Sequence, residues 1–306
     1  MPASDGMSLT GRSLALGVGA MVLSAACWGF ATVMSKGALF YFPPFTLLAL
    51  QLATSIAFLW FAVVLTGRAT RLDRGARLAS LSGILEPGLA YAFGIAGLAL
   101  TGAANASLIG TTEPLLIIGL AWLFLRERTS TAGVWAIMIA MLGVAMVSLP
   151  DTVTSTFENP LVGDLLVFLG TTFAALYVVV TSRLVTTIEP LPLAALQQSV
   201  GFLFAVLLLA GALAFGFERL PAWPPVEAFL LAAASGIVQY ALAFWFYLFG
   251  LRILTASFAA LFLALIPVFG VGGAVLFLGE PMAATQWFGS LLIIAAVASM
   301  ARRGSM

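Results

Sequence analysis

The sequence predicts an all-α integral membrane protein: ten transmembrane helices, built as two inverted five-helix repeats around a central cavity. Three observations predict it. Of 306 residues, 62% are apolar and only 8% charged, against about 25% charged in a water-soluble domain. The apolar residues fall into ten runs of about 20, the length that crosses a hydrocarbon core. The second half of the chain also repeats the first.

The first run, 14–35, follows Arg12. Its Ser24-Ala25-Ala26-Cys27 resembles a lipoprotein cleavage site, but Ser24 stands where such sites usually carry leucine. The apolar sequence continues through Trp28-Gly29-Phe30-Ala31, so the run is expected to be a retained helix. It carries Ser24, Trp28, Thr32 and Lys36 at four-residue steps, a polar and aromatic stripe on one helical face. Run two, 45–66, contains Gln51. Run three, 78–100, contains Glu86-Pro87 and Tyr91. Run four, 103–125, opens on Ala103-Ala104-Asn105-Ala106-Ser107, contains Glu113-Pro114 and ends at Leu125-Arg126-Glu127. Run five is 132–149. The sixth, 161–182, carries Tyr177, and the seventh, 191–215, carries Gln198. The eighth, 227–250, holds Gln239, Tyr240, Trp245 and Tyr247. The ninth, 256–278, holds Pro267, and the tenth is 283–301. Loops between runs are too short for a soluble domain.

Charge tests the count. Ten spans place Arg12, Arg68, Arg71, Arg74, Arg77, Arg126, Arg128, Arg183, Arg252, Arg302 and Arg303 on one side. Lys36 and Arg219 fall on the other. This asymmetry puts both termini in the cytoplasm; an odd count would strand Arg302 and Arg303 on the wrong side.

Laid on 250–280, residues 97–127 give 12 identities in 31 positions, among them Gly97/Gly250, Pro114/Pro267 and Glu127/Glu280. Helices 1–2 fit helices 6–7 at an offset of 147, which pairs Ser35 with Ser182, Lys36 with Arg183, Pro43 with Pro190 and Gln51 with Gln198. The repeats are 1–150 and 151–306. Five helices is an odd number, so the second repeat enters the membrane from the opposite face. Inverted repeats of this kind recur in secondary transporters, with the binding site near the midplane between them.

Several chemistries drop out. The chain has no histidine, which removes the usual zinc sites, Ser-His and Cys-His nucleophile pairs and haem ligation through imidazole. Cys27, the single cysteine, excludes an internal disulfide. No GxxxxGK[ST] occurs, so no nucleotide-hydrolysing domain is expected. A net charge of +1 gives no reason to expect nucleic acid. We expect no cofactor, no metal and no enzymatic activity.

The two Ala/Ser-rich helix starts, the mid-helix prolines of Glu113-Pro114 and Ile266-Pro267, and the closing Leu125-Arg126-Glu127 and Leu278-Gly279-Glu280 resemble the drug/metabolite transporter superfamily, EamA type. The resemblance covers essentially the whole chain. It implies ten helices around a cavity lined mainly by helices 1, 3, 4, 6, 8 and 9. It also implies export of small solutes, most similar to bacterial exporters of aromatic amino acids.

Two acids lie inside spans: Glu86 about a third of the way into helix 3, and Glu113 halfway along helix 4. A charge there costs about 2.5–3.5 kcal/mol on insertion scales, so such residues usually face a cavity or a partner. Their repeat mates are Gln239 and Ile266, so the acids are not needed for the duplicated scaffold. One reading is amine binding, proton uptake or gating; the other is interhelical hydrogen bonding. Pro87, Pro114 and Pro267 are expected to kink their helices. Trp28, Tyr91, Tyr177, Gln239, Trp245 and Asn105 complete the candidate substrate-binding or gating set, the aromatic members suited to stacking or cation–π contact and equally to interfacial anchoring. Gln51 and Gln198 read as scaffold hydrogen bonds, and Glu127 and Glu280 as interfacial caps.

The expected function is a secondary active transporter exporting small organic solutes, amino acids first, across a bacterial inner membrane. Its partners are that substrate, a proton or exchanged solute, and the lipid bilayer. A nucleotide-sugar or phosphorylated-metabolite exchanger is the alternative, but it needs cationic side chains at depth and no clear mid-span Lys or Arg exists. A channel or solute sensor is the third reading.

Overall fold

The computed structural model describes residues 11–68, 74–98, 100, 109–110, 112–148, 160–273, 275–276 and 283–303. Asn105 and Glu280 lie outside the described residues, as does the Lys36 side chain.

The described residues form ten helical segments, matching the ten apolar runs. They are α1 (Gly11–Ala38), α2 (Pro44–Thr66), α3 (74–98), α4 (Glu113–Leu125), α5 (Thr131–Ser148), α6 (Pro160–Leu184), α7 (Pro190–Ala214), α8 (Val226–Leu251), α9 (Ala256–Gly273) and α10 (Ala284–Arg303). Seven of them, α1, α2 and α6–α10, are each long and apolar enough to cross a membrane. α4 and α5 are shorter apolar helices, and α3 is interrupted. Side chains such as Phe61, Trp122, Trp135, Leu161, Leu207 and Trp287 stand exposed on the outside; an apolar exterior of this extent needs lipid as its solvent.

Local sequence explains the ends. α2 starts on Pro44, whose missing N–H costs nothing in a first turn. It stops at Gly67, which sits at φ 63° and donates its N–H to the Val63 and Val64 carbonyls, a left-handed stop that glycine accepts without strain. α9 starts under Thr255, whose hydroxyl accepts from Phe258 N at 3.2 Å.

Contacts between distant ends agree with ten alternating spans. The start of α9 meets the end of α4, where Glu127 accepts from Ala256 N, Ser257 N and Ser257 Oγ at 3.2, 3.1 and 2.8 Å. Arg183 at the end of α6 donates to the Phe124 carbonyl there. Arg68 after α2 pairs with Glu189 before α7 at 3.3 Å. All of these lie at the arginine-rich end. At the other end Glu218, after α7, accepts from Phe45 N, Thr46 N and Thr46 Oγ1 at the start of α2. Carboxylates thus satisfy the orphan amides of two helix N-termini.

The packing is two-fold symmetric under exchange of the five-helix halves. α3 packs on α6 as α8 packs on α1; α4 on α6 as α9 on α1; α3 on α7 as α8 on α2. The pairs α2–α7 and α5–α10 map onto themselves, which places them across the pseudo-axis. The same relation holds atom by atom. Gln197 Nε2 donates to Ser82 Oγ (2.7 Å) and Thr181 Oγ1 (3.2 Å). Gln51 Nε2 donates to Ser235 Oγ and Ser35 Oγ, both at 2.8 Å. Ser82 and Ser235 each pass their proton to a carbonyl three residues back, Ala79 and Ala232.

These pairs correct the register of the first two helices in each repeat. The mate of Gln51 is Gln197, not Gln198, and that of Ser35 is Thr181, not Ser182; the offset there is 146. Pro44 and Pro190, the first residues of α2 and α7, obey it as well. A shift of one residue turns a helical side chain by about 100°. The side chain of Gln198 therefore looks elsewhere and lies buried without a hydrogen-bond partner.

Symmetric glycines set the closest approaches. A Cβ on Gly83 would lie 2.0 Å from the Gln197 carbonyl oxygen, and one on its mate Gly236 would lie 2.4 Å from that of Gln51. Gly143 and Gly289 approach each other in the same way across α5 and α10, at 2.7 and 2.6 Å. Small residues at these crossings let backbones meet, the usual basis of helix association in lipid.

Candidate functional site

The helices that should line a central cavity are distorted in matching places. α3 changes from a 3₁₀ turn, Leu81–Ile84, to a π turn, Leu85–Leu89, and Glu86 within it is fully extended at φ −147°, ψ 126°. Its mate α8 carries a π turn at Ile237–Leu242. Proline accounts for the break in α3, because Pro87 cannot donate to the helix and disfavours helical geometry at Glu86. Single π turns inside α-helices gather at functional sites. Before Pro114, Thr112 N bonds the Ile109 carbonyl at 2.9 Å; before Pro267, Leu265 N bonds the Phe262 carbonyl at 3.0 Å. Both are tight three-residue turns at equivalent positions. The kink expected at Pro267 is there as the gap between Ala256–Leu263 and Ile266–Gly273. Pro114 stands in the first turn of Glu113–Leu120.

Around these breaks lies a cavity of about 200 Å³, lined by Trp28, Thr32, Glu86, Tyr91, Glu113, Tyr177, Val178, Gln239, Tyr247, Leu263 and Ile266. Three pairs of repeat mates line it: Thr32 with Val178, Glu86 with Gln239, and Glu113 with Ile266. The cavity therefore straddles the pseudo-two-fold axis. In each pair the polar member comes from the first repeat or is the more acidic one. The scaffold is symmetric and the chemistry is not.

Both carboxylates face this space, half-buried, and the described lining contains no lysine or arginine. Four aromatic side chains form much of the wall. Trp28 meets Phe244 at 5.2 Å and 78° and Tyr247 at 5.4 Å and 59°; Tyr177 meets Phe244 at 5.9 Å and 67°. Rings set at such angles make the sides of a box rather than a stack. Tyr91 packs on Tyr240 at 5.6 Å. The cavity is tied to the scaffold through two glutamines. Tyr177 OH donates to Gln197 Oε1 at 3.0 Å, and Ser35, held by Gln51, donates to Gln239 Oε1 at 2.8 Å.

Of the residues singled out in the sequence, the structure brings Glu86, Glu113, Trp28, Tyr91, Tyr177 and Gln239 together in this one cavity. Pro87 lies in the break beside it. Asn105 lies outside the described residues. Trp245 is placed elsewhere: it lines an outer groove with Leu16, Phe246 and Phe249, its ring stacked on Phe246. Helical periodicity gives the reason, because Tyr240, Phe244 and Tyr247 share the inward face of α8 and Trp245 is turned about 100° from it. Tyr247 and Thr32, noted in the sequence only as members of aromatic and polar stripes, belong to the lining. The pairing of Thr32 with Val178 becomes visible only at the offset of 146.

Comparison with known proteins agrees with this architecture. The profile of the EamA-like transporter family matches residues 15–149 and again 161–302, one match per half. The profile of solute carrier family 35 matches residues 99–220. An uncharacterized transporter of Bacillus subtilis (strain 168), YvbV, is 27% identical over 274 residues, covering 88% of this chain and 86% of that protein. An uncharacterized transporter of Archaeoglobus fulgidus is 26% identical over 296 residues, covering 92% and 98%. A solved crystal structure superimposes with a TM-score of 0.76 at 20% identity, over 95% of this chain and 98% of its own, a likeness of fold. With both halves matched, the chain belongs to the EamA-like transporter family.

Proposed function

We propose that this protein is a secondary active transporter that exports small organic solutes bearing a protonated amine across a bacterial inner membrane. Amino acids, aromatic ones among them, are the first substrates to test. Both termini face the cytoplasm, where the arginine-rich ends of the helices lie. The observation that carries the reading is the axial cavity: three pairs of repeat mates line it, and two carboxylates from the first repeat project into it without a basic neighbour among the described lining residues. Two similar halves around one site can exchange conformations at little cost, which is the basis of alternating access in inverted-repeat carriers. A solute ammonium or a proton supplies the charge the two acids lack. With a volume below the roughly 300–1,000 Å³ of a drug-sized pocket, the cavity suits metabolite-sized cargo.

A phosphorylated-metabolite or nucleotide-sugar exchanger fits poorly, because its substrate would bring further negative charge to Glu86 and Glu113. Counterflow in proteoliposomes tests the proposal. Vesicles loaded with unlabelled amino acids or amines should accumulate the labelled solute transiently and saturably. Exchange confined to nucleotide sugars would overturn the reading, and non-saturating flux would favour a channel.

A further inference from the structure

We infer that the outer groove between α1 and α8 is a binding site for one anionic phospholipid of the cytoplasmic leaflet, its phosphate held by Arg68 and Arg252 and an acyl chain laid between the two helices. The inference rests on the transporter reading only for the choice of leaflet. The groove measures about 560 Å³ and shares no lining residue with the axial cavity. Its mouth gathers the arginine-rich ends of three helices: Thr66 and Arg68 where α2 stops, Pro190 where α7 starts, and Arg252 just past α8. From the mouth α1 runs inward from Leu16 to Leu23 beside α8 from Arg252 back to Trp245, a depth of about 10 Å. Gly19 leaves the floor open, since a Cβ there would meet nothing within 4 Å. Leu16, Leu23 and Phe249 stand exposed along the sides, and the stacked rings of Trp245 and Phe246 close the wall. A charged mouth above an apolar trough has the polarity of a phospholipid.

The charge at the mouth is positive. Arg68 spends one Nη1 hydrogen bond on Glu189 at 3.3 Å, out of the five N–H that a guanidinium offers. Arg252 has no carboxylate partner among the described residues. Glu127, which lines a neighbouring depression with Arg252, gives its carboxylate to the α9 amides. Two arginines therefore stand against one glutamate, and basic pockets between helices at the cytoplasmic side are where anionic headgroups bind. The matching surface of the other repeat is built differently. At the offsets of 146 and 153 that relate the two halves, Gly19 corresponds to Leu165, Arg68 to Ala214, Trp245 to Ala92 and Arg252 to Ala99. A positive-inside bias accounts for the arginines alone. It does not account for a glycine floor and a tryptophan wall in the same half as those arginines. Open trough and charged mouth occur together in one repeat, and the sequence of the other supplies neither.

Native mass spectrometry of the full chain in detergent micelles tests this, with titrations of phosphatidylglycerol and of phosphatidylethanolamine carrying the same acyl chains. One phosphatidylglycerol should be retained per protein, at least about tenfold more tightly than phosphatidylethanolamine. Arg68→Gln combined with Arg252→Gln should bring the two lipids level. Gly19→Leu fills the floor as Leu165 does in the other repeat and leaves both charges in place; it should weaken retention of phosphatidylglycerol by about tenfold or more. Arg128→Gln, which removes a charge from the same end of the protein outside the groove, should bind as the wild type does. Equal retention of the two lipids by the wild type, a preference that survives both groove variants, or one lost equally in Arg128→Gln overturns the inference. Displacement of the lipid by equimolar inorganic phosphate would overturn it too, because the site would then belong to the free anion. Micelles have no leaflets and no counterflow is read, so a wrong orientation or a failure of transport would leave this binding result unchanged.

Discussion

Glu113→Gln should abolish most transport while leaving the protein in the membrane and folded. The side chain keeps its shape and loses only its charge, so packing around the break in α4 is preserved. Its partner in the transport cycle, a substrate ammonium or proton, is left uncompensated in a desolvated site, a loss of about 3 kcal/mol, or roughly 100-fold in rate at sub-saturating substrate. Stability should hold or rise, because a mid-span carboxylate itself costs about 2.5–3.5 kcal/mol on insertion scales. Initial rates in proteoliposomes, normalised to reconstituted protein, check this. If Glu113 served only as an interhelical hydrogen-bond partner, the glutamine variant would transport normally, and that outcome would remove it from the mechanism.

The second large effect is structural. Gly83→Ala introduces a Cβ 2.0 Å from the Gln197 carbonyl oxygen, where backbone rather than a flexible side chain must give way. Overpacking of this kind costs about 1–3 kcal/mol, and separation of backbones beyond that of a side-chain clash raises it. It would also pull Gln197 away from Ser82 and Thr181 and, through Gln197, disturb Tyr177 in the cavity. Gly94→Ala, on the same helix, meets nothing within 4 Å and replaces a poor helix former with the best one. Thermal unfolding in detergent should show a midpoint lowered by several degrees for Gly83→Ala and one unchanged or raised for Gly94→Ala. Equal midpoints would contradict the close crossing of α3 and α7.

Much of this was legible in the sequence. Hydropathy, arginine placement and the Pro114/Pro267 and Glu127/Glu280 matches carry the ten spans and the repeat, because the bilayer demands apolar runs of fixed length and duplication preserves turn-forming residues. The first two helices of each repeat were harder. Gln51 can be laid on Gln197 or Gln198, and apolar neighbours score both alignments; only the hydrogen bonds to Ser35, Ser235, Ser82 and Thr181 decide for Gln197. The shared Ser82-Gly83-Ile84 and Ser235-Gly236-Ile237 was a legible sign of those contacts. In the cavity, Glu86 and Glu113 stood out because charge at depth is costly. Trp245 and Tyr247 could not be ranked, since both are aromatic on one helix and only the rotation of α8 separates them. The π turn at Ile237–Leu242 changes that rotation, and unlike the break in α3, which Pro87 announces, it has no proline to mark it in the sequence.

The central claim is that one axial site, shared by two inverted halves, opens to each face of the membrane in turn. Cysteine at position 32, introduced as Thr32→Cys with the native Cys27 replaced by serine, places a single thiol on the cavity wall. In oriented proteoliposomes a membrane-impermeant thiol reagent is applied to one face or the other in separate samples. The account predicts labelling from both faces, slowed in each case by a transported solute; labelling from one face only, under loaded and unloaded conditions alike, would contradict it.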